Sequence, residues 1–452
     1  MLLTYVQILP SGREPAGPER SGLALAPFRG VRYARSRVSG LAEVTSPPYD
    51  VIAHDNEDQL IEADPHNVVR LILPRHVPGH RGSVYDDAAL TLRAWQDEDI
   101  LRPDPEPALY VYEQASGDAG DEPEVLQRGL IGALRLSPPD AGIVRPHEDV
   151  APGPVAGRLQ LMEATQANLE PIFLLHDGSA HGASSRLVDD VAAGRPPLVE
   201  AVTSDHIRHR LWAITDPAEL EAIAADLAPR TALIADGHHR YAAYLKLQAR
   251  RRAADAGTGP WDYGMALLVD AAAYPPDIGA IHRVIAGLPP AAAAELAKSA
   301  FTVRSLPGGA GALPAALDEL ADAAGKGPAF LLAGGDEISL LSDPDPDQVD
   351  RAMPPGRSAR WRSLAASVLQ ELLIPRVWGL VDADGAVRIV HNDAAQALQE
   401  ADEAGGTAVI CPSMSTRDVY DVAAGGERVP RKSTSFGPKP RTGLVIRTFA
   451  QS

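Results

Sequence analysis

Six consecutive residues, Asp236-Gly237-His238-His239-Arg240-Tyr241, concentrate groups able to do chemistry. They join two kinds of pattern. Thr231-Ala232-Leu233-Ile234-Ala235 before them is apolar and long enough for a buried strand, and Tyr241 to Leu247 after them reads as the first turns of a helix. A strand, a glycine turn and a helix start make an anion site. The first helical N–H groups lack intrahelical partners, and the helix dipole adds positive potential there. Gly237 lets the backbone approach a ligand closely, and Arg240 can fork onto phosphate oxygens. His238 and His239 can donate hydrogen bonds, and Asp236 can hold a metal ion or orient a histidine. The spacing points to a phosphate-handling turn. The plainer reading is a helix start capped by Asp236 with two surface histidines. A structural zinc site fits less well, because consecutive helical residues point about 100° apart, whereas histidine ligands on a helix usually sit four apart.

Other candidates are spread along the chain. His147 and Glu148 follow Pro146, and such a pair can share a proton or a metal; the plainer reading of Glu148 is an exposed loop acid. Asp50 follows the stiff segment Pro47-Pro48-Tyr49, which would fix its direction, although a turn aspartate is the commoner use of such a residue. Lys432-Ser433-Thr434 looks like the end of a phosphate-binding loop, but Gly425 and Gly426 do not give the G-x-x-x-x-G-K-S/T spacing. A surface turn before a last strand at Gly443 to Arg447 is the alternative. Arg158 and Asn168 lie on or just after the helix that follows Glu148, within reach of a substrate carboxylate. His282-Arg283 either borders the site or forms a buried polar contact.

The elements that must position these residues alternate between strand and helix. Strands are expected at Asn67 to Leu73, Ala108 to Glu113, Leu130 to Leu136, Pro171 to Leu175, Leu211 to Ile214 and Gly264 to Asp270, with an acidic loop from Ser116 to Glu124. Helices are expected at Tyr85 to Glu98, Arg158 to Gln166, Ala183 to Ala193, Asp216 to Leu227 and Trp361 to Leu373. The pattern implies an α/β or α+β protein with mixed sheets. The composition shifts after Ile285. An N-terminal α/β region over 1–287 would carry the PPYD, HE and DGHHRY motifs. Residues 288–452 would form an Ala-rich helical insertion and a C-terminal α/β region carrying the Lys-Ser-Thr motif.

With 452 residues, 45% hydrophobic and 23% charged, the chain has the composition of an ordinary soluble globular protein. A formal charge of −18, from 60 acidic against 42 basic residues, argues against a broad nucleic-acid face. A basic pocket for one small phosphate compound remains compatible. The single cysteine, Cys411, excludes an internal disulfide framework and cysteine-rich zinc sites. No signal peptide or stretch of about 20 apolar residues is evident, so a cytoplasmic protein without a membrane span is expected. A homo-oligomer is compatible with all of this.

Pro47 to Ile52, Asn67 to Leu71, Arg145 to Glu148, Asp236 to Tyr241, His282-Arg283 and Lys432 to Lys439 together resemble a bacterial and archaeal family of unknown function marked by a GHHRY motif. The DGHHR turn also looks like the corresponding turn of the ParB/sulfiredoxin fold, which includes sulfiredoxin and an archaeal free serine kinase. His238 stands where sulfiredoxin has its cysteine, so the resemblance implies phosphoryl transfer rather than sulfiredoxin chemistry. It implies a ParB/sulfiredoxin-like phosphate-binding core and a kinase for free serine, with Mg²⁺ and with ATP, ADP or pyrophosphate as donor. Serine or phosphoserine would be the small-molecule substrate. On that reading Gly237, His238, His239, Arg240, Lys432, Ser433 and Thr434 would hold phosphate. Asp50 and Glu148 are the candidate bases, His238 and His239 complete the catalytic set, and Asp236 would hold the metal. His147, Arg158 and Asn168 would touch substrate. Three other functions use the same groups: a phosphoserine phosphatase, a ParB-like nucleotide-binding regulator, and a metal-dependent hydrolase built on His147, Glu148, His238 and His239.

Overall fold

The computed structural model describes residues 22–451 apart from 53, 78, 117–123, 179–181 and 381–385. Most of the expected acidic loop after Ser116 lies outside the described residues. The architecture is mixed α/β, built on two large sheets.

The first sheet has nine strands. Eight run in the order Val144–Arg145, Ala232–Asp236, Ile172–His176, Tyr263–Asp270, Glu124–Arg135, Leu109–Ser116, Ile207–Ile214 and Val199–Val202, and Leu25–Ala26 pairs with the far end of Glu124–Arg135. Pairing is mixed. Ala232–Asp236 runs parallel to Val144–Arg145 and antiparallel to Ile172–His176, which is itself parallel to Tyr263–Asp270. Both faces of the central strands are covered, so these strands read as continuous apolar runs rather than alternating ones. Ile234, Leu174 and Leu268 pack in one core with the helices Pro152–Thr165, Ala183–Gly194, Pro217–Leu227 and His238–Ala253. Leu233, Phe173 and Leu267 pack in another, beneath Val419, Phe436 and Leu444 from the C-terminal part of the chain.

The second sheet is antiparallel, ordered Thr302–Leu306, Glu337–Ser342, Phe330–Gly334, Thr407–Ile410, Ile281–Ile285 and Val387–His391. The Ala-rich stretch after Leu288 supplies its helices Pro290–Ala297 and Leu313–Ala324, with the mostly exposed strand Thr302–Leu306 between them. A short ribbon, Asp277–Gly279 against Ser435–Gly437, leads from the first sheet into the second and brings residues 432–439 back beside the DGHHRY turn.

Two expected strands differ: of Gly443 to Arg447 only Arg447 lies in a strand, Arg447–Thr448. Asn67 to Leu73 forms a short helix, Val69–Ile72, instead. The Asn67 side chain accepts the Val69 N–H at 2.9 Å and donates to the Glu43 carbonyl at 2.6 Å, so local bonds close a helical turn. Val68, Leu71 and Ile72 are buried with Trp95, and burial of a short apolar run is compatible with either element. The helix expected at Trp361 to Leu373 is broken into Ala359–Ser363, Ala365–Val368 and a π-helical segment, Leu369–Val377, that contains Pro375.

Candidate functional site

The strand Ala232–Asp236 ends at Gly237, whose φ of +91° is left-handed, and the helix His238–Ala253 starts immediately after. A Cβ on Gly237 would stand 3.0 Å from Ile172 Cγ2 and 3.1 Å from Arg240 Nε, so both conformation and space select glycine. No side chain caps this helix. Asp236 therefore does not play the capping role open to it in the sequence, and the first-turn N–H groups stay available at a cleft that Gly237, His238 and His239 line.

Both histidines are placed by backbone donors. The His147 N–H donates to His238 Nε2 at 3.3 Å, and the Ala151 N–H donates to His239 Nε2 at 3.1 Å. Each imidazole is thus an acceptor at Nε2, which leaves its proton on Nδ1. Burial, followed by neighbouring His147, pushes His238 well below the usual histidine range; burial lowers His239 too. The His147 ring stands edge-on to His238 with centroids 4.5 Å apart. Its Nδ1–H donates to the Ile234 carbonyl at 2.6 Å and its Nε2 accepts from Thr434 Oγ1 at 2.9 Å. Both its nitrogens are committed, and burial holds it neutral, with a pKa of about 4. His147 is a strut between the strand end and the C-terminal segment.

Asp236 is buried, and its two oxygens meet two cations. Oδ2 pairs with Arg240 Nη2, and Oδ1 lies 2.6 Å from Lys439 Nζ. Burial opposes its ionisation, but Lys439 and Arg240 outweigh this and hold the carboxyl below its usual range. Arg240 is 3% exposed and donates from Nη1 to the Pro171 carbonyl at 2.6 Å. It stays outside the cleft lining and belongs to a buried layer behind it. In that layer Glu170 accepts the Tyr49 N–H at 3.0 Å, Arg158 lies 3.8 Å from Glu170, and the Arg158 guanidinium stacks 4.1 Å from the Tyr49 ring centroid. Asn168 is farther back, accepting from the Met265 N–H at 3.1 Å and Arg447 Nη1 at 2.8 Å. Of the sequence candidates, Arg158, Asn168 and Arg240 thus lie behind the cleft.

Asp50, Glu148, Asp236, Gly237, His238, His239, Lys432 and Thr434 line the cleft, whereas His147 and His282 are buried behind it and Arg283 and Ser433 line a neighbouring cavity, Ser433 donating to the Pro430 carbonyl at 2.6 Å. Asp50 Oδ1 stands 3.7 Å from Lys439 Nζ. Glu148 Oε1 accepts the Lys432 N–H at 2.8 Å, and Oε2 is without a partner among the described residues. Burial raises the Glu148 pKa against the lowering influence of Lys432. Lys432 has a left-handed φ of +55° and an exposed side chain with no ion pair among the described residues. Sequence reasoning missed three participants. Lys439 closes the PK end of the Lys432 to Lys439 segment and could have been flagged as a second lysine seven residues on. His391 reaches the cleft because Ile281 pairs with it across the second sheet, and Glu170 is the buried acid between Arg158 and Arg240. Neither carries a local signal.

The arrangement offers open helix N–H groups, two neutral histidines, two lysines and a carboxylate with one oxygen unpaired. No group of three potential metal ligands converges among the described residues. No helix among them is long and apolar enough to cross a membrane.

Several solved structures share part of the architecture at low similarity. A free serine kinase in complex with AMP is 15% identical, with a TM-score of 0.34, over 68% of this chain and 90% of that one. SbnI from Staphylococcus aureus, with a C-terminal truncation, is 12% identical, with a TM-score of 0.34, over 70% of this chain and 87% of that one. A conserved hypothetical protein from Pyrococcus furiosus is 13% identical, with a TM-score of 0.33, over 68% of this chain and 94% of that one. Likeness at this level carries no argument about activity. No curated protein matches the chain. The family model described as "Protein of unknown function (DUF1015)" matches residues 25–367, and the chain belongs to that family.

Proposed function

We propose that the cleft transfers a phosphoryl group between a phosphate donor and a small hydroxyl compound, with free serine as the acceptor. The observation that carries this reading is the meeting of the uncapped Gly237 turn with Lys432, Lys439 and Glu148 in one cleft. Phosphoryl transfer needs positioning and charge stabilisation more than covalent help from the protein. The helix N–H groups and the histidine Nδ1–H groups would hold the donor phosphates, and the two lysines would neutralise charge that develops on the transferred group. Glu148 Oε2 would take the acceptor hydroxyl proton as the oxygen bonds to phosphorus and the bond to the leaving phosphate breaks. A base with an upward-shifted pKa suits that task. Asp50 would orient Lys439.

Mg²⁺ fits this site only in part. Both Asp236 oxygens already face cations, so Asp236 could hold a metal only if Lys439 moved away. Mg²⁺ commonly binds through one or two carboxylates plus substrate phosphates. The partly exposed Asp50 is the residue that would meet a metal carried on the donor, which would supply further charge neutralisation. A donor of nucleotide or pyrophosphate type fits the open N–H groups; Arg240 supports them from behind.

The test is a transfer screen with Mg²⁺ and serine against ATP, ADP and pyrophosphate separately, reading phosphoserine by mass spectrometry, with phosphoserine alone run in parallel. Donor-dependent phosphoserine that disappears in Glu148→Gln is the expected result. Phosphate release from phosphoserine alone would make the chain a phosphatase. Nucleotide binding without turnover in either direction would overturn the transferase reading in favour of a nucleotide-binding regulator.

A further inference from the structure

The cleft does not end at Lys432. A second cavity opens beyond that residue, and the two share Ile281 and Lys432 in their walls. The second holds about 170 Å³ against about 60 Å³ for the first. Their chemistry also differs. The first is lined mainly by ionisable side chains, while the second adds one apolar flank of Leu364, Leu369 and Met414 to a lining that also holds Arg283, Asp418 and several serines.

Arg283 lines the second cavity from the strand that carries Ile281. It is 8% exposed. Its Nη1 donates to the carbonyls of Ile281 at 3.0 Å and His282 at 3.3 Å, and its Nη2 donates to the Lys432 carbonyl at 2.8 Å. No carboxylate pairs with it among the described residues. A buried guanidinium without a counter-charge is costly, and an anion reaching it gains charge-assisted hydrogen bonds. The junction of the two cavities therefore carries two cations, Lys432 and Arg283, that form no ion pair with an acid among the described residues. A polar, cationic channel leading into a wider pocket with one apolar flank matches a molecule with a phosphate chain at one end and a flat ring that carries hydrogen-bonding groups at the other.

We propose that the second cavity is the nucleoside subsite of the phosphate donor. The phosphates run from the Gly237 turn past Lys432 to Arg283, and the base lies against Leu364, Leu369 and Met414. The inference rests on the phosphoryl-transfer reading of the cleft. It makes the donor a nucleoside di- or triphosphate, because pyrophosphate would fill only the narrow part and leave the apolar flank uncovered.

Gly327 borders the second cavity, and a Cβ there meets nothing within 4 Å. Gly327→Trp therefore adds a bulky ring at the rim of the pocket without a clash at its Cβ, and Gly327→Ala is its control. ADP and pyrophosphate would each be titrated with Mg²⁺ by calorimetry into the full chain. The wild type is expected to bind ADP at least about tenfold more tightly than pyrophosphate. Gly327→Trp loses that advantage, Gly327→Ala keeps it, and pyrophosphate binds all three proteins equally. Undiminished ADP binding by Gly327→Trp, or equal binding of both ligands by the wild type, overturns the nucleoside subsite and leaves the phosphate cleft standing. Failure of both ligands to bind the wild type overturns the subsite and the phosphate cleft together.

Discussion

Glu148 is anchored at one oxygen by the Lys432 N–H and unpaired at the other, with burial raising its pKa. A general base must be ionised to act, so turnover should fall as pH drops through that pKa. The acid limb of the kcat profile is expected above the ordinary glutamate value of about 4.3. Glu148→Gln should lower kcat roughly 10²- to 10⁴-fold and abolish that limb, as a pH–rate series would show. An acid limb at the ordinary value would remove Glu148 from the base role. Arg240 has a different part. Its removal leaves Asp236 and Glu170 buried with less compensation, so Arg240→Ala is expected to cost about 3–5 kcal/mol of stability, measured by urea unfolding. Its loss of activity would accordingly report on the fold as much as on phosphate. The sequence marked Arg240 as a cation beside a turn, but the left-handed Gly237 between strand and helix folds the first helical turn back so that the guanidinium meets the Asp236 carboxylate at the strand end instead of the cleft. Lys439 was visible only as part of a motif, because its contact with Asp236 spans two hundred residues of chain and leaves no local trace.

At the scale of elements, the junction of strand, glycine and helix was legible because each part has a local cause: an apolar run, a residue free to take a left-handed φ, and a helical composition. Gly237→Ala tests it. Forcing a Cβ into a φ of +91° against Ile172 is expected to cost about 1–2 kcal/mol and to weaken phosphate binding by shifting the first helical turn. Unfolding and ADP titration on the same preparation would separate the two effects; unchanged values in both would mean the turn geometry is not required. The segment Asn67 to Leu73 was not legible. Its apolar residues say that it is buried, while the choice between strand and helix was made by the Asn67 side chain bonding its neighbours. The exposed strand Thr302–Leu306 was hidden similarly, since its Thr, Arg and Ser residues do not set it apart from a loop.

The whole molecule forms its cleft where the first sheet, the second sheet and the returning C-terminal segment meet, an arrangement that depends on long-range pairing and so could not be read from any window of sequence. Three buried histidines, His147, His209 and His282, have pKa values depressed to about 4 by burial. Their unfolded values lie near about 6.5, so between these limits the unfolded chain binds more protons than the folded one. Stability should fall as pH is lowered through that window, seen as a lower urea midpoint at pH ~5 than at pH ~7.5; an unchanged midpoint would mean that these histidines are not held neutral. The central claim is that the Gly237 turn receives phosphate together with Lys432 and Lys439. A crystal structure of the chain soaked with ADP and Mg²⁺ tests it most directly. The expected result is the terminal phosphate within hydrogen-bond reach of the first-turn N–H groups of the helix His238–Ala253 and of at least one of the two lysines. A phosphate bound elsewhere, with Lys439 still paired to Asp236 and the turn untouched, would contradict it.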